Sequence, residues 1–247
     1  MVRIVIIDAG HSKPNGDPGA VSGTFIEYDL NCIAAKSCAN YLTENYDCIA
    51  IVDTDNTIGA NCRTAKEKGA AAFISIHHNA GGGDGGEIYY YPGDARAKAL
   101  AACVAEEFDA IGQNAHGDIL KASSKFGVCR NNSINGIPAI LGEFAFVDSV
   151  KDRIIINTKE KVEAEGIAYA KGAASFLNLP KKVKPVAEFI AKRRIKILSY
   201  PSALRGKLIG WHEEGSTVDV YALKNNWGKI ADGQFSNFTT LNSQRIK

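Results

Sequence analysis

The stretch AAAFISIHHNA, residues 70–80, has the composition of a buried β-strand that ends in two histidines and an asparagine. Alanine, phenylalanine and isoleucine dominate it, which is typical of a strand covered on both faces of a sheet. Because side chains alternate between the two faces of a strand, His77 and His78 point in opposite directions, and only one of them reaches a given cleft. The residues alone leave open which one.

Strand-like and helix-like segments alternate on both sides of this stretch. Apolar runs that predict strands are VRIVIID (2–8), DCIAIVD (47–53), GEIYYYP (86–92) and IPAILGEFAF (137–146). Segments with apolar residues at helical spacing fall between or after them, over residues 27–42, 56–70, 94–112 and 158–179. The alternation predicts an α/β fold with a mostly parallel, twisted sheet and helices on both faces.

The character of the chain changes at Pro180. Residues 1–180 hold 16 Lys and Arg against 22 Asp and Glu, net −6, whereas residues 181–247 hold 13 against 5, net +8. A basic stretch with two prolines precedes short alternating runs broken by Gly, Asn and Pro, the pattern of a small all-β barrel or sandwich. We therefore predict a first domain over 1–179, a linker over 180–196 and an all-β domain over 197–247.

Several classes of protein are disfavoured. No apolar run approaches the ~20 residues that span a bilayer, so we expect no membrane insertion. The N-terminal MVRIVIIDAGH passes directly into a strand without the pattern of a secretory signal, which predicts a cytoplasmic location in the producing cell. The six cysteines form no CxxC pair, so we expect reduced, mostly buried thiols.

Polar side chains of metal-binding types are predicted to meet where the strands end. They are His11 after the first strand, Glu27 at the start of the first helix, one histidine of the doublet, and Glu143 within AILGEFAF. Ligands of open parallel α/β sheets bind at the carboxyl ends of strands. A carboxylate among apolar residues requires an ion, a partner or a shifted pKa. The set fits a catalytic zinc ion with three protein ligands, and Glu143 is then left to handle protons.

Four segments resemble, in order, the motifs of the zinc-dependent N-acetylmuramoyl-L-alanine amidases of the Amidase_3 type. They are IVIIDAGHSKPNGDPGA (4–20), Glu27, CRTAKEKGAAAFISIHHNA (62–80) and IPAILGEFAF (137–146), and the resemblance runs over residues 3–176. The first loop of the family is similar to DxGHGGxDPGA. Ser12 and an insertion at residues 14–16 depart from that pattern, which changes the loop without moving the metal position.

The resemblance implies a site and an activity. It implies one Zn²⁺ held by His11, Glu27 and His77, which selects the first histidine of the doublet. It assigns Glu143 as the catalytic residue and Asn79 to substrate binding. The implied reaction is hydrolysis of the amide bond between N-acetylmuramic acid and L-alanine in bacterial peptidoglycan, which leads to cell-wall lysis. The residues by themselves indicate only a zinc-dependent hydrolase of an amide or ester.

The C-terminal stretch GKLIGWHEEGSTVDVYALKNNWGKI (206–230) resembles bacterial SH3-type wall-binding domains. Its positive charge suits anionic wall polymers such as teichoic acids, and no nucleic-acid motif accompanies it, so we expect no nucleic-acid partner. Its small size leaves self-association open. Because so small an SH3-like domain needs its aromatic residues inside, we expect in its core Trp211, Tyr221, Trp227 and Phe235.

The domain layout predicts an endolysin of a bacteriophage or prophage that acts on the wall after release. Three alternatives remain open: a zinc peptidase that cuts within the stem peptide, a non-catalytic wall-binding protein with a structural zinc site, and a nucleic-acid-binding protein led by the basic tail. A structural site usually has four protein ligands, so Glu143 beside three ligands argues against the second alternative.

Overall fold

The computed structural model describes residues 2–53 and 57–247. The chain forms two compact units, and the second of them runs from Val183 to Lys247. We predicted residues 180–196 as a linker, and this prediction is wrong in part. The stretch contains the strand Ala187–Ala191 and the first residues of the next strand. Basic residues surround that strand in the sequence and mask its pattern, although every second one of its residues is buried.

The N-terminal unit is built on one six-stranded sheet. The strands of this unit are β1 (Arg3–Ala9), β2 (Val21–Ser22), β3 (Phe25–Ile26), β4 (Cys48–Asp53), β5 (Ala72–Asn79), β6 (Gly86–Tyr90), β7 (Ala115–Ala122) and β8 (Ala139–Phe146). Strands β2 and β3 form a short hairpin outside the six-stranded sheet. The order of the six-stranded sheet is β4-β1-β5-β8-β6-β7, and within this sheet only the β6/β8 pair is antiparallel among the described strands. The predicted mostly parallel sheet is confirmed, but the sequence did not predict the edge strand β7, because most of its residues are polar or exposed.

Six α-helices and one 3₁₀ turn (Lys13–Asn15) accompany the sheet in the described residues. They are α1 (Glu27–Asn45), α2 (Ile58–Lys68), α3 (Ala95–Ala110), α4 (Gly127–Ile134), α5 (Val150–Ile156) and α6 (Lys159–Leu177). Asp94 caps α3, where its side chain accepts a hydrogen bond from the Ala97 amide. The first residue of the helix predicted over 56–70, Asn56, lies outside the described residues. None of the described helices combines the length and hydropathy of a membrane span.

Helices cover both faces of the sheet, as predicted. Helices α1, α3 and α6 pack on one face and α2 and α4 on the other. Neighbouring residues of each strand therefore enter different cores: Ile7 and Ile74 pack under the first group of helices, Ile6 and Phe73 under the second. Burying each of these side chains contributes roughly 1.5–3 kcal/mol, and burial on both faces explains the continuous apolar runs of the sequence.

The C-terminal unit consists of antiparallel strands. They are β9 (Ala187–Ala191), β10 (Ile195–Leu198), β11 (Leu208–His212), β12 (Thr217–Val220), β13 (Ala222–Lys224), β14 (Trp227–Ala231), β15 (Gln234–Asn237) and β16 (Ser243–Arg245). One sheet has the order β11-β10-β15-β14-β13 and the other β12-β9-β16. This arrangement is compatible with an SH3-like domain.

The core of this unit contains other aromatic residues than we predicted. Phe189 and Phe238 stack with their ring centroids 4.6 Å apart, and valines of β12 pack around them. None of the four aromatic residues that we expected in the core belongs to it; Trp211 is 37% exposed. Gly228 shows the reason, since a Cβ there would lie 2.6 Å from the Phe238 ring, so Gly228 faces the core and the adjacent Trp227 faces away.

Candidate metal centre and active site

Three side chains predicted as metal ligands meet at the carboxyl end of the sheet. His11 follows β1, Glu27 begins α1 and His77 lies near the end of β5. Glu27 Oε1 lies 3.1 Å from His11 Nε2 and 3.0 Å from His77 Nδ1. One ligand atom from each residue lies within 4.8 Å of the others. Two imidazole nitrogens and a carboxylate oxygen are a donor set that suits zinc.

Asp17 holds the His11 ring, a role that the sequence pattern did not reveal. Its carboxylate lies 3.0 Å from His11 Nδ1, which leaves Nε2 facing Glu27. Two backbone hydrogen bonds between Ser12 and Asp17 close this loop, and His11 adopts the left-handed conformation with φ 68°. A carboxylate on the far nitrogen of a ligand histidine fixes the ring and its tautomer. An acidic residue six positions after His11 was the available signal.

Two glycines allow the ligands to approach one another. A Cβ on Gly10 would lie 2.1 Å from Cε1 and 2.2 Å from Nε2 of His77. A Cβ on Gly19 would lie 2.5 Å from Oε2 of Glu27 and 2.6 Å from Cδ2 of His11. Any other residue at these positions would push the rings and the carboxylate apart. The residues around the cluster therefore fit a small ion held by all three side chains.

The electrostatics of the cluster favour a positive charge between the three groups. Burial opposes ionisation of Glu27, but hydrogen bonds to His11 and His77 outweigh it and hold the pKa of Glu27 well below its usual range. The hydrogen bond to Glu27, with help from Asp17, raises the pKa of His11 to about 9. Burial opposes protonation of His77, yet Glu27 and nearby acids raise its pKa as well. The carboxylate thus draws either protons or a metal cation to this point.

Glu143 lies beside the cluster on β8. It pairs in register with His77 of β5 and with Glu87 of β6. Glu143 is half-buried and lines a cavity. Its Oε2 atom is nevertheless shielded and has no hydrogen-bond partner among the described residues. Burial raises the pKa of Glu143 to about 7, so this carboxyl group exchanges a proton near neutral pH.

The cavity that joins these groups has a volume of about 480 Å³. His11, His77 and Glu143 contribute to its lining, together with apolar side chains from the α2 and α4 region. Lys125, in the loop before α4, is the one lysine or arginine among the described residues that line it. The cavity thus brings Glu143 and the two histidines together with an apolar wall that is able to contact a substrate.

Asn79 is placed differently from the other predicted site residues. Its Nδ2 donates to Glu87 Oε2 at 2.8 Å, and its Oδ1 accepts from the Ala80 amide. Glu87 also accepts from the Tyr89 hydroxyl and pairs with Lys121. Asn79 is not among the lining residues of the cavity. Its assignment to substrate binding stays a prediction. Its observed contacts hold the carboxylate of Glu87 on β6, which pairs with Lys121 on β7.

His78 faces the opposite side of the sheet, as the alternation predicted. Its Nδ1 lies 2.8 Å from Asn31 Oδ1 on α1, and its Nε2 lies 3.1 Å from Glu165 Oε2 on α6. Asn31 in turn donates to the carbonyl oxygen of Gly10 at 3.0 Å. The second histidine is therefore a buried structural partner, separate from the candidate metal ligands.

The fold and the site define a class: an α/β protein with a candidate metal site and, beside it, a carboxyl group of raised pKa at the carboxyl edge of its sheet. The family model of Amidase_3, N-acetylmuramoyl-L-alanine amidase, matches residues 5–175. The chain belongs to this family, and its function is hydrolysis of the amide bond between N-acetylmuramic acid and L-alanine in peptidoglycan. The match begins in β1 and ends in α6, so it contains all the residues of the cluster.

Individual relatives agree with this assignment. A sporulation-specific N-acetylmuramoyl-L-alanine amidase of Bacillus subtilis (strain 168) is 32% identical over 186 residues, which cover 73% of this chain and 70% of that protein. An endolysin of Bacillus phage SPP1 is 28% identical over 199 residues, 74% of this chain and 69% of the endolysin. The catalytic domain of the amidase CwlV from Bacillus (Paenibacillus) polymyxa var. colistinus is similar with a TM-score of 0.64 and 25% identity, covering 72% of this chain and 100% of that domain.

Proposed function

We propose that the N-terminal unit cleaves its amide with one Zn²⁺, held by His11, Glu27 and His77, and with Glu143 as the proton-transfer residue. The observation that carries this proposal is that three donor side chains meet at one end of the sheet, beside a carboxylate oxygen that has no hydrogen-bond partner among the residues the structure describes. All four residues lie inside the segment that matches the amidase family.

Zinc supplies Lewis acidity at a site of this kind. The chain supplies the proton handling. Glu143 takes a proton from the attacking water through Oε2, while the hydroxyl adds to the lactyl carbonyl carbon. Glu143 then delivers that proton to the L-alanine nitrogen as the C–N bond breaks, which yields a carboxylic acid and an amine. A pKa of about 7 lets one carboxyl group serve first as base and then as acid.

The test is digestion of purified peptidoglycan by the zinc-loaded protein, with identification of the new amino termini. We expect free L-alanine termini from the native chain and a reduction of kcat by about 10²–10⁴ in Glu143→Gln, with an unchanged zinc content. Glu106→Gln removes an exposed carboxylate on α3 and is the matched control, with native activity expected.

Three results would contradict parts of this proposal. Loss of zinc from Glu143→Gln would show that Glu143 is a ligand. New termini at a later position of the stem peptide would identify a peptidase. Wall binding without any new termini would identify a non-catalytic wall-binding protein.

We propose that the enzyme is a phage or prophage endolysin, and its similarity to the endolysin of Bacillus phage SPP1 supports this proposal. In this proposal it accumulates in the cytoplasm of the producing cell and reaches the wall once the membrane is permeabilised. The C-terminal unit then holds it on the wall, since residues 183–247 carry 11 Lys and Arg against 5 Asp and Glu, net +6, and wall polymers are anionic.

A further inference from the structure

The C-terminal unit contains a cavity of about 430 Å³ with an unusual lining. Basic, aromatic and amide side chains surround it, chiefly Arg193, Arg194, Lys196, Trp211, Trp227 and Asn237. No aspartate or glutamate is found among the described residues that line it. The two tryptophans lie outside the buried core of the unit, so their position here is not required to fill that core.

Contacts with Trp211 hold two of the three cations of the lining in place. The Arg194 guanidinium carbon lies 4.8 Å from the Trp211 ring centroid, and Lys196 Nζ lies 5.7 Å from the same ring. Both distances are within the range of cation–π attraction. Side chains ordered in advance lose less conformational freedom when a ligand binds, so these contacts favour ligand binding.

Much of the positive charge around the cavity is not neutralised. Glu213 accepts a hydrogen bond from Arg194 Nε at 3.1 Å. Arg193 and Lys196 are exposed, and in the part of the chain that the structure describes neither has a carboxylate partner. These two cations are therefore available to an anionic ligand, in a unit whose net charge is +6.

We infer that this cavity binds a phosphate-bearing wall polymer, a chain of polyol or sugar units joined by phosphodiesters. Phosphate groups would contact the cations at the rim, and the carbon chain between phosphates would contact the apolar lining, which includes Leu198 and Ala203. Several cations around one open cavity favour a repeated negative charge over a single peptide carboxylate. The inference deepens the proposed wall-binding role of the C-terminal unit, and it does not depend on the metal or on Glu143.

The experiment measures binding of the full chain to purified poly(glycerol phosphate) and to Gram-positive walls before and after hydrofluoric acid removes their phosphodiester polymers. The double variant Arg193→Gln, Lys196→Gln removes two cations of the cavity. The matched control Arg205→Gln, Lys207→Gln removes two exposed cations of the same unit that do not line it. We expect about tenfold weaker binding from the first variant and native binding from the second. On stripped walls the variants should bind alike, and more weakly than native protein binds intact walls.

The inference would be overturned if the two double variants bound the polymer equally well. It would also be overturned if the native protein bound stripped walls as tightly as intact walls. Tighter binding to duplex DNA than to the polymer at physiological ionic strength would overturn it as well and identify a nucleic-acid site. Release of L-alanine termini from soluble muropeptides that lack the polymer is measured in parallel. If both double variants release L-alanine termini at the native rate, the amidase function is intact, and any loss of polymer binding is then due to the cavity alone.

Discussion

The substitution Gly10→Ala tests whether close approach at the end of β1 is required for metal binding. The new Cβ would lie 2.1 Å from Cε1 of His77, so the ring has to move by about 1.3 Å to reach an ordinary contact of about 3.4 Å. Zinc–ligand distances tolerate only about 0.2 Å. Perturbing an outer-shell partner of a ligand costs about 10–100-fold in metal affinity, and displacing the ligand itself should cost at least the upper value, about 100-fold.

Zinc affinity is measured by competition with a chelator, and folding by thermal unfolding of the metal-free protein. Gly59→Ala is the matched control, because a Cβ on Gly59 in α2 would meet no neighbouring group within 4 Å and the φ of this glycine is not positive. It should keep native affinity and stabilise the helix by up to about 1 kcal/mol. If Gly10→Ala bound zinc within a factor of about three of the native chain, a difference of less than about 1 kcal/mol, the proposed role of His77 as a ligand would be refuted.

Two further predictions concern the pH dependence of zinc affinity and the conditions under which producing cells lyse. Since the pKa of His11 is about 9 without metal and zinc needs the neutral imidazole, zinc affinity should weaken by about tenfold per unit as pH falls from about 8.5 to about 7. Asp17→Asn should shift this dependence to lower pH, and an affinity independent of pH in chelator competition would contradict the reasoning. In cells that produce the chain, turbidity should fall only after an added agent permeabilises the membrane; lysis without that agent would argue against the endolysin proposal.

Much of the fold could be predicted because the central strands are buried on both faces. Continuous apolar runs identified β1, β4, β5 and β8, and the helical spacing between them identified α1, α3 and α6. Segments whose burial depends on distant partners were missed. The edge strand β7 and the short helices α4 and α5 have mixed composition, and their place is decided by the sheet rather than by their own pattern.

The site could be predicted in part for a related reason. Histidine and glutamate at strand ends are visible in the sequence, and the structure brings together His11, Glu27 and His77 as expected. Asp17 escaped notice because its role depends on a loop that folds back through two backbone bonds. The C-terminal aromatic residues were misplaced because glycine on β14 leaves room for Phe238, which fills the core in place of Trp227.

The histidine doublet links the two faces of the sheet. His77 contacts the Glu27 carboxylate on one face, while His78 contacts Asn31 on the other, and Asn31 donates to the carbonyl oxygen of Gly10. Gly10 lies next to His11 in the chain and against the ring of His77 in space. The position of one candidate ligand is therefore coupled to that of the other through a buried hydrogen-bonded chain, which fixes their separation before an ion arrives. A single histidine at this strand end would provide the ligand but not the support for the loop.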